Sequence, residues 1–312
     1  MFGSQDIHSS TRFAGLRDDH AVPALARLVT RQVERQPLSS LLRAECVFLL
    51  GTNITDENPV SGYLLRTSMR DHKTRLIIAS SRPSGLDDIA EASMHVLPGD
   101  EARLLSMMIM DQRQPSEGCI EDFVAAVAPI IAESTSMTLL IGTEFLRSSK
   151  ATDCLRWIEK AVDHYIHLGK TVYVQFLFDR PNQLGLWDMG CLAGVLPGWK
   201  KGQLSPRIPD GPPDLLYVLG AEPVPYCPSD DKTEATSSRP ACLVVHASHF
   251  GTNADQADVV LPAASYGEES GTFTNNEGRL QTLLPVRTPR QDQPSARQVF
   301  NLISDAWGQD PS

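Results

Sequence analysis

The residues best suited to recognition chemistry lie between Ser265 and Glu277. There Glu268-Glu269 is followed by Gly271-Thr272-Phe273-Thr274-Asn275-Asn276-Glu277 and then Gly278-Arg279. Carboxylates, amides and hydroxyls can hydrogen-bond a polar ligand, and glycines admit backbone angles that other residues avoid. The stretch follows Val259-Val260-Leu261, an apolar run closed by Pro262 that reads as the end of a buried strand. Strand exits are where open α/β proteins place their ligands. A structural turn that binds nothing accounts for the same residues, so both readings stand.

A second candidate is Gly51-Thr52-Asn53, which follows the run Val47-Phe48-Leu49-Leu50. Its backbone N–H groups could receive a phosphate or nucleotide; a structural glycine in a strand-to-helix turn explains them equally. Gly142 and Gly220 close two similar runs, Thr138 to Ile141 and Leu216 to Leu219. Glu268 and Glu269 are adjacent and can project in different directions, which makes them a weak acid–base pair. His246 and His249 stand three residues apart, but a metal needs a further ligand and none is suggested nearby. No two of the six cysteines form a Cys-x-x-Cys pair, so no iron–sulfur or zinc site is encoded by local spacing. Cys46 and Cys242 sit in apolar runs and read as inert core thiols. In Gly169-Lys170-Thr171 the position five residues earlier is His164, and the triplet enters a strand, so it is not a phosphate-binding loop. The hydrolase, zincin and ordinary dinucleotide-dehydrogenase motifs are missing as well.

The elements that must position these residues alternate along the chain. Strands are expected at 47–52, 75–79, 138–143, 171–178, 216–221, 242–246 and 258–261, and the three ending in Gly are apolar enough to be buried on both faces of a parallel sheet. Helices are expected from Pro23 to Val33, from Pro59 towards Arg70 with Asn58 as N-cap, and from Ser149 to Leu168 with Gly169 as terminator. In the last of these, Leu155, Ile158, Val162 and Tyr165 form one core stripe. This order predicts doubly wound α/β architecture in two units, 1–115 and 116–312, divided at the polar run 113–118. Residues 223–240, crowded with Pro, Ser, Thr and Asp, are expected to form a mobile loop.

Bulk composition narrows the function classes. With 312 residues, 41% hydrophobic and 21% charged, the chain is that of a folded protein, and its net charge of −10 argues against nucleic acid and anionic membrane as partners. It has no apolar run of about 18 residues and lacks the features of a signal peptide at Met1 to Asp6. The expected location is cytoplasmic, with any membrane association made through partner subunits.

Four stretches resemble the molybdopterin oxidoreductase family. They are Phe2 to Asp6 running on to Ser10-Thr11-Arg12-Phe13-Ala14; Cys46 to Pro59; Asn182 to Gly198, with Leu186-Trp187-Asp188-Met189-Gly190 and Leu196-Pro197-Gly198; and Ala257 to Arg279. The third is similar to a loop typical of one branch, the large iron–sulfur subunit of bacterial NADH:quinone oxidoreductase. The resemblance implies two mainly parallel units of the dimethyl-sulfoxide-reductase type. It also implies a crevice served by Gly51, Thr52, Asn53, Arg82, Gly142, Gly220, Glu222, Thr252, Gly271, Thr272, Asn275 and Glu277.

Two departures from the family pattern matter. Ala14 stands where molybdenum-using members carry a Cys, selenocysteine or Ser ligand, and alanine cannot coordinate a metal. The strand at Ile77-Ile78 leads into Ala79-Ser80-Ser81-Arg82, where the family has an acidic residue that holds the nucleotide end of the pterin cofactor. The family's cysteine-rich iron–sulfur region and terminal β-barrel are not in this sequence, so the start at Met1 reads as that of a shortened or split subunit. The expectation is a structural part of a respiratory NADH:quinone oxidoreductase large subunit. It would have no catalytic residue and no cofactor of its own, with iron–sulfur clusters in other polypeptide and other dehydrogenase subunits as partners. The alternative is the molybdopterin-guanine-dinucleotide-binding portion of a molybdenum enzyme such as a formate dehydrogenase; a small-nucleotide-binding module is a third reading.

Overall fold

Five parallel strands form one sheet in the order β3-β2-β1-β4-β5: β1 (Cys46–Leu50), β2 (Arg75–Ser80), β3 (Ala92–His95), β4 (Ser136–Ile141) and β5 (Thr171–Phe176). This computed structural model describes residues 19–30, 36–110, 119–178, 180–192, 195–202, 213–220, 240–251, 254–288 and 293–308. The continuous apolar runs follow from burial on both faces. In β1, Cys46, Phe48 and Leu50 enter one core while Val47 and Leu49 enter another; Ile77 and Ala79 oppose Leu76 and Ile78 in the same way.

Helices supply both covers. On the larger core lie α1 (Val22–Thr30), α4 (Glu101–Met110), α5 (Cys119–Glu133) and α6 (Ala151–His167), and on the smaller lie α3 (Pro59–His72) and the 3₁₀ turn Leu38–Arg43. The short helix α2 (Ile54–Glu57) leaves the β1 exit. The stripe Leu155, Ile158, Val162 and Tyr165 is buried, and Gly169 ends α6 with φ +80°. Lys170 donates to the carbonyls of Ala132 and Ser134 at the C-terminal end of α5, a structural role. Pro59 opens α3, but the Asn58 side chain makes no cap bond to it.

The chain separates into two compact units. The larger carries β1 to β5 together with residues 273–280, and the division near 204/205 replaces the expected one at 115/116. The reason is topological: β4 pairs with β1, Leu50 opposite Ile141, so strands from both sides of 115/116 share one sheet. The expected break at 113–118 lies outside the described residues, as do residues 223–239 of the expected loop.

The smaller unit holds a parallel sheet in the order β10-β9-β8, made of β8 (Leu215–Leu219), β9 (Cys242–Ala247) and β10 (Val259–Pro262). It also holds α8 (Ala296–Ala306), whose start is fixed by a Ser295/Gln298 capping box. The expectation that β8 is buried on both faces is corrected: Leu215 is 44% and Leu219 45% exposed, so the face that carries them is left partly uncovered. Cys242 is half-buried, whereas Cys46 is fully buried. The remaining helix, α7 (Gln183–Asp188), belongs to the larger unit. Two short two-stranded sheets complete the described elements: β6 (Val195–Leu196) with β7 (Lys200–Lys201), and β11 (Gly271–Thr274) with β12 (Leu280–Leu283). Among the described residues, no helix is long and apolar enough to cross a membrane.

Candidate functional site

In the five-stranded sheet the connections reverse direction between β1 and β4. That is the point where a doubly wound sheet opens a crevice at the carboxyl ends of its strands. Gly51 and Gly142 stand there, for different reasons. Gly51 takes φ +65°, which favours glycine. Gly142 has no unusual φ, but a Cβ on it would lie 2.2 Å from the Gly51 carbonyl oxygen and 2.3 Å from Thr52 Cβ.

The backbone donors at this crest extend the sheet. Gly51 N–H donates to Ala79 O (2.8 Å), Gly142 N–H to Leu50 O (2.8 Å) and Glu144 N–H to Gly51 O (3.1 Å). The side chains form a connected polar network around Arg82. Thr52 Oγ1 donates to Glu57 Oε2 (2.7 Å), and Arg82 bridges Glu57 to Glu144, with Nε 2.9 Å from Glu144 Oε1. Ser81 donates to Glu144 through its N–H (3.2 Å) and its hydroxyl (2.8 Å). Asn53 Nδ2 donates to Asp56 (2.9 Å) and to Pro83 O (3.1 Å). Glu144 is only 5% exposed. The two carboxylates, Glu144 foremost, hold the Arg82 guanidinium above its ordinary range.

The family-like phrase Thr274 to Arg279 is a fastener within the larger unit. Asn275 Oδ1 accepts from the N–H groups of Glu277 (3.0 Å) and Arg279 (2.9 Å), closing the turn on itself. Glu277 Oε1 accepts from Leu38 N–H (2.6 Å) while its Oε2 accepts from Asn275 Nδ2 (3.1 Å). Asn276 Nδ2 donates to Asn58 Oδ1 (3.0 Å), which gives Asn58 its partner in place of the expected cap. Thr274 N–H donates to Asn182 Oδ1 (2.9 Å). The stretch Asn182 to Gly198 is equally structural: Trp187 is buried against Phe178 and Trp199, and Trp199 Nε1 donates to Asp188 (2.6 Å).

Thus Gly51, Thr52, Asn53, Arg82 and Gly142 meet at one crest, while Asn275 and Glu277 sit at the Leu38 and Asn58 junction. Gly220 (φ +62°), Gly271 and Thr272 belong to the smaller unit, and Glu222 and Thr252 lie outside the described residues. Sequence reasoning missed Glu57 and Glu144. Glu144 stands two residues beyond Gly142, but its partner Arg82 is 62 residues away. In the smaller unit Tyr217 OH lies 2.9 Å from His246 Nδ1, and burial lowers the His246 pKa against the opposing pull of Glu269 and the Pro262 carbonyl. His249 Nδ1 is 2.8 Å from Ser248 Oγ. Glu268 accepts from Ser265, and Glu269 from Ala296 N–H. Among the described residues, no group of three or more His, Cys, Asp or Glu is placed to hold a metal ion.

Comparison with known proteins agrees with this architecture. The molybdopterin oxidoreductase family model matches residues 2–306. The G-2 subunit of the NADH-quinone oxidoreductase of Rhizobium meliloti (strain 1021) is 35% identical, over 90% of this chain and 38% of that protein. The F420-dependent formate dehydrogenase subunit alpha of Methanocaldococcus jannaschii is 24% identical, over 79% of this chain and 45% of that protein. The chain therefore spans less than half the length of either relative. Among solved structures, acetylene hydratase from Pelobacter acetylenicus superposes with a TM-score of 0.59 at 11% identity, over 96% of this chain and 55% of that one. A chain of the Methylorubrum extorquens formyltransferase/hydrolase complex gives 0.55 at 14% identity, over 92% and 82%. The fold is of the dimethyl-sulfoxide-reductase type, and the chain belongs to the molybdopterin oxidoreductase family.

Proposed function

We propose that this chain is a structural part of the large subunit of a respiratory NADH:quinone oxidoreductase and carries no redox centre of its own. The carrying observation is the network at the β1/β4 reversal. Arg82 is shared by Glu57 and Glu144, so two carboxylates face one guanidinium and the crest is net anionic. A cofactor pyrophosphate needs free N–H donors and surplus positive charge. Here the N–H groups of Gly51, Gly142 and Glu144 already bond to neighbouring carbonyls. These engaged donors and the anionic crest count against seating at this crest the dinucleotide that the family implies, and no step is routed through it.

Ala14, which has no donor atom at the family's metal-ligand position, supports the same reading. So does the 35% identity to the Rhizobium NADH-quinone oxidoreductase subunit. On this reading electrons pass through clusters held in other polypeptide, and this chain supplies subunit contacts at the cytoplasmic face of the inner membrane. The second reading, a cofactor-binding portion of a formate-dehydrogenase-type enzyme, draws on the Methanocaldococcus relative. Among the described residues of the smaller unit it would draw on the candidates Gly220, Gly271 and Thr272.

Purification from native membranes, with metal analysis and pterin extraction, tests the choice. The expected result is co-migration with NADH dehydrogenase subunits on a native gel, without stoichiometric molybdenum, tungsten or pterin. Stoichiometric metal with a released pterin overturns the scaffold reading in favour of the second.

A further inference from the structure

The connection from β3 into α4 contains an acid that the crest network does not use. Glu101, the first residue of α4, is 0% exposed. Its Oε2 accepts from Gly99 N–H, while its Oε1 has no hydrogen-bond partner. Cys154 Sγ, on α6, lies 3.8 Å from both Glu101 Oε2 and the Gly99 carbonyl. Gly99 takes φ +102°, and a Cβ there would lie 2.5 Å from Ser148 Oγ, so the crossover is pressed onto the segment that leads into α6.

We infer that Glu101 is a buried neutral carboxylic acid that latches the β3 crossover to α6, and that ionisation opens this latch. A neutral acid can share this apolar joint with a thiol, but an unpaired carboxylate there is strongly disfavoured. Among the described residues Glu101 has no ion-pair partner. The charged groups around the joint do not supply one: Lys150 engages Asp100 at 3.2 Å, Arg103 engages Glu121 at 2.9 Å, and Asp153 and Glu144 are acids. Arg82 is already held by Glu144 and Glu57.

Opposing effects act on the Glu101 proton. Burial raises the pKa, and the charge on Glu144 adds to it; the N–H groups of Glu101 and Gly99 pull the other way and lose. Burial pushes the Cys154 thiol up to about 12, so it remains a weak donor. A folded acid with a raised pKa contributes stability that is complete below the unfolded value of 4.5 and is lost as pH rises through the folded value. Ionisation would draw water into the joint and free residues 96–100 together with the first turn of α4.

Hydrogen exchange of residues 96–105 in the full-length chain tests this, corrected for intrinsic rates, from about pH 5 to about pH 9. Protection in the wild type is expected to fall by up to about tenfold per pH unit between the unfolded value of 4.5 and the raised folded value, and to level off above it. Glu101→Gln is expected to give a flat profile. A flat wild-type profile, or an unchanged slope in Glu101→Gln, overturns the inference. Should Glu101→Gln not fold, Glu101→Asp, which retains the acid, must keep the slope, and its loss would count equally against the latch.

Discussion

Gly142 approaches Gly51 so closely that a β-carbon on Gly142 would sit 2.2 Å from the Gly51 carbonyl oxygen. The obstacle is backbone in a buried parallel sheet, so it cannot swing aside as a flexible side chain would. Gly142→Ala is expected to cost about 3 kcal/mol through overpacking. Gly169→Ala is the matched control. That glycine has φ +80°, and a β-carbon there would meet nothing within 4 Å, so it should cost only about 1 to 2 kcal/mol for the left-handed backbone. Urea unfolding of both variants checks the ranking; equal costs would mean that close approach is not what selects glycine at 142.

The Arg82 network predicts a strong coupling. Removing the guanidinium in Arg82→Gln leaves Glu144 nearly buried beside Glu57 without a cation. Arg82 is itself half exposed, so a cost of about 1 to 2 kcal/mol is expected, below that of a fully buried pair. Adding Glu144→Gln should recover a good part of it. A double-mutant cycle in urea measures this, and additivity of the two changes would sink the network as a cooperative unit.

These two relationships show where sequence legibility stops. The strands ending at Leu50 and Ile141 are readable because burial on both faces of a parallel sheet demands continuous apolar runs. Gly142 reads as a sharp turn, but its reason is a contact with a neighbouring strand, which no local pattern encodes. Glu57 and Glu144 look like ordinary surface acids until the fold brings them to Arg82 from 25 and 62 residues away. The domain division escapes the sequence for a similar reason: β4 inserts beside β1, and strand order is a long-range property. In β8 the apolar pattern conceals an edge strand, because hydrophobic content does not record what lies alongside it. Asn275 and Glu277 stand out as chemically unusual, yet their hydrogen bonds go to the chain's own backbone.

The fastener makes a prediction of its own. Asn275→Ala removes one acceptor that serves two N–H groups and a donor to Glu277. About 1 to 2 kcal/mol is expected, with hydrogen exchange rising at residues 275–279. Glu277→Gln retains an oxygen for Leu38 N–H and should cost less, about 0.5 kcal/mol. A reversed order would show that the Leu38 bond, rather than the turn, carries the junction.

Acid titration should separate the two units, because their sensitive groups act in different windows. In the smaller unit burial holds the His246 pKa below 6.5, so its contribution is complete above that value and is lost as pH falls through the lower folded one. In the larger unit Glu45 Oε2 accepts from the N–H and hydroxyl groups of Thr135 and Ser136, which hold its pKa at about 2 against an ordinary 4.5. Its contribution persists above 4.5 and is lost only as pH falls towards 2. His246→Gln should therefore flatten the first loss and leave the second, and Glu45→Gln should do the reverse. Unit-resolved hydrogen exchange across both windows is the measurement. If Glu45→Gln alters the loss that sets in below pH 6.5, or His246→Gln alters the one between pH 4.5 and 2, the assignment of one proton to each unit is wrong.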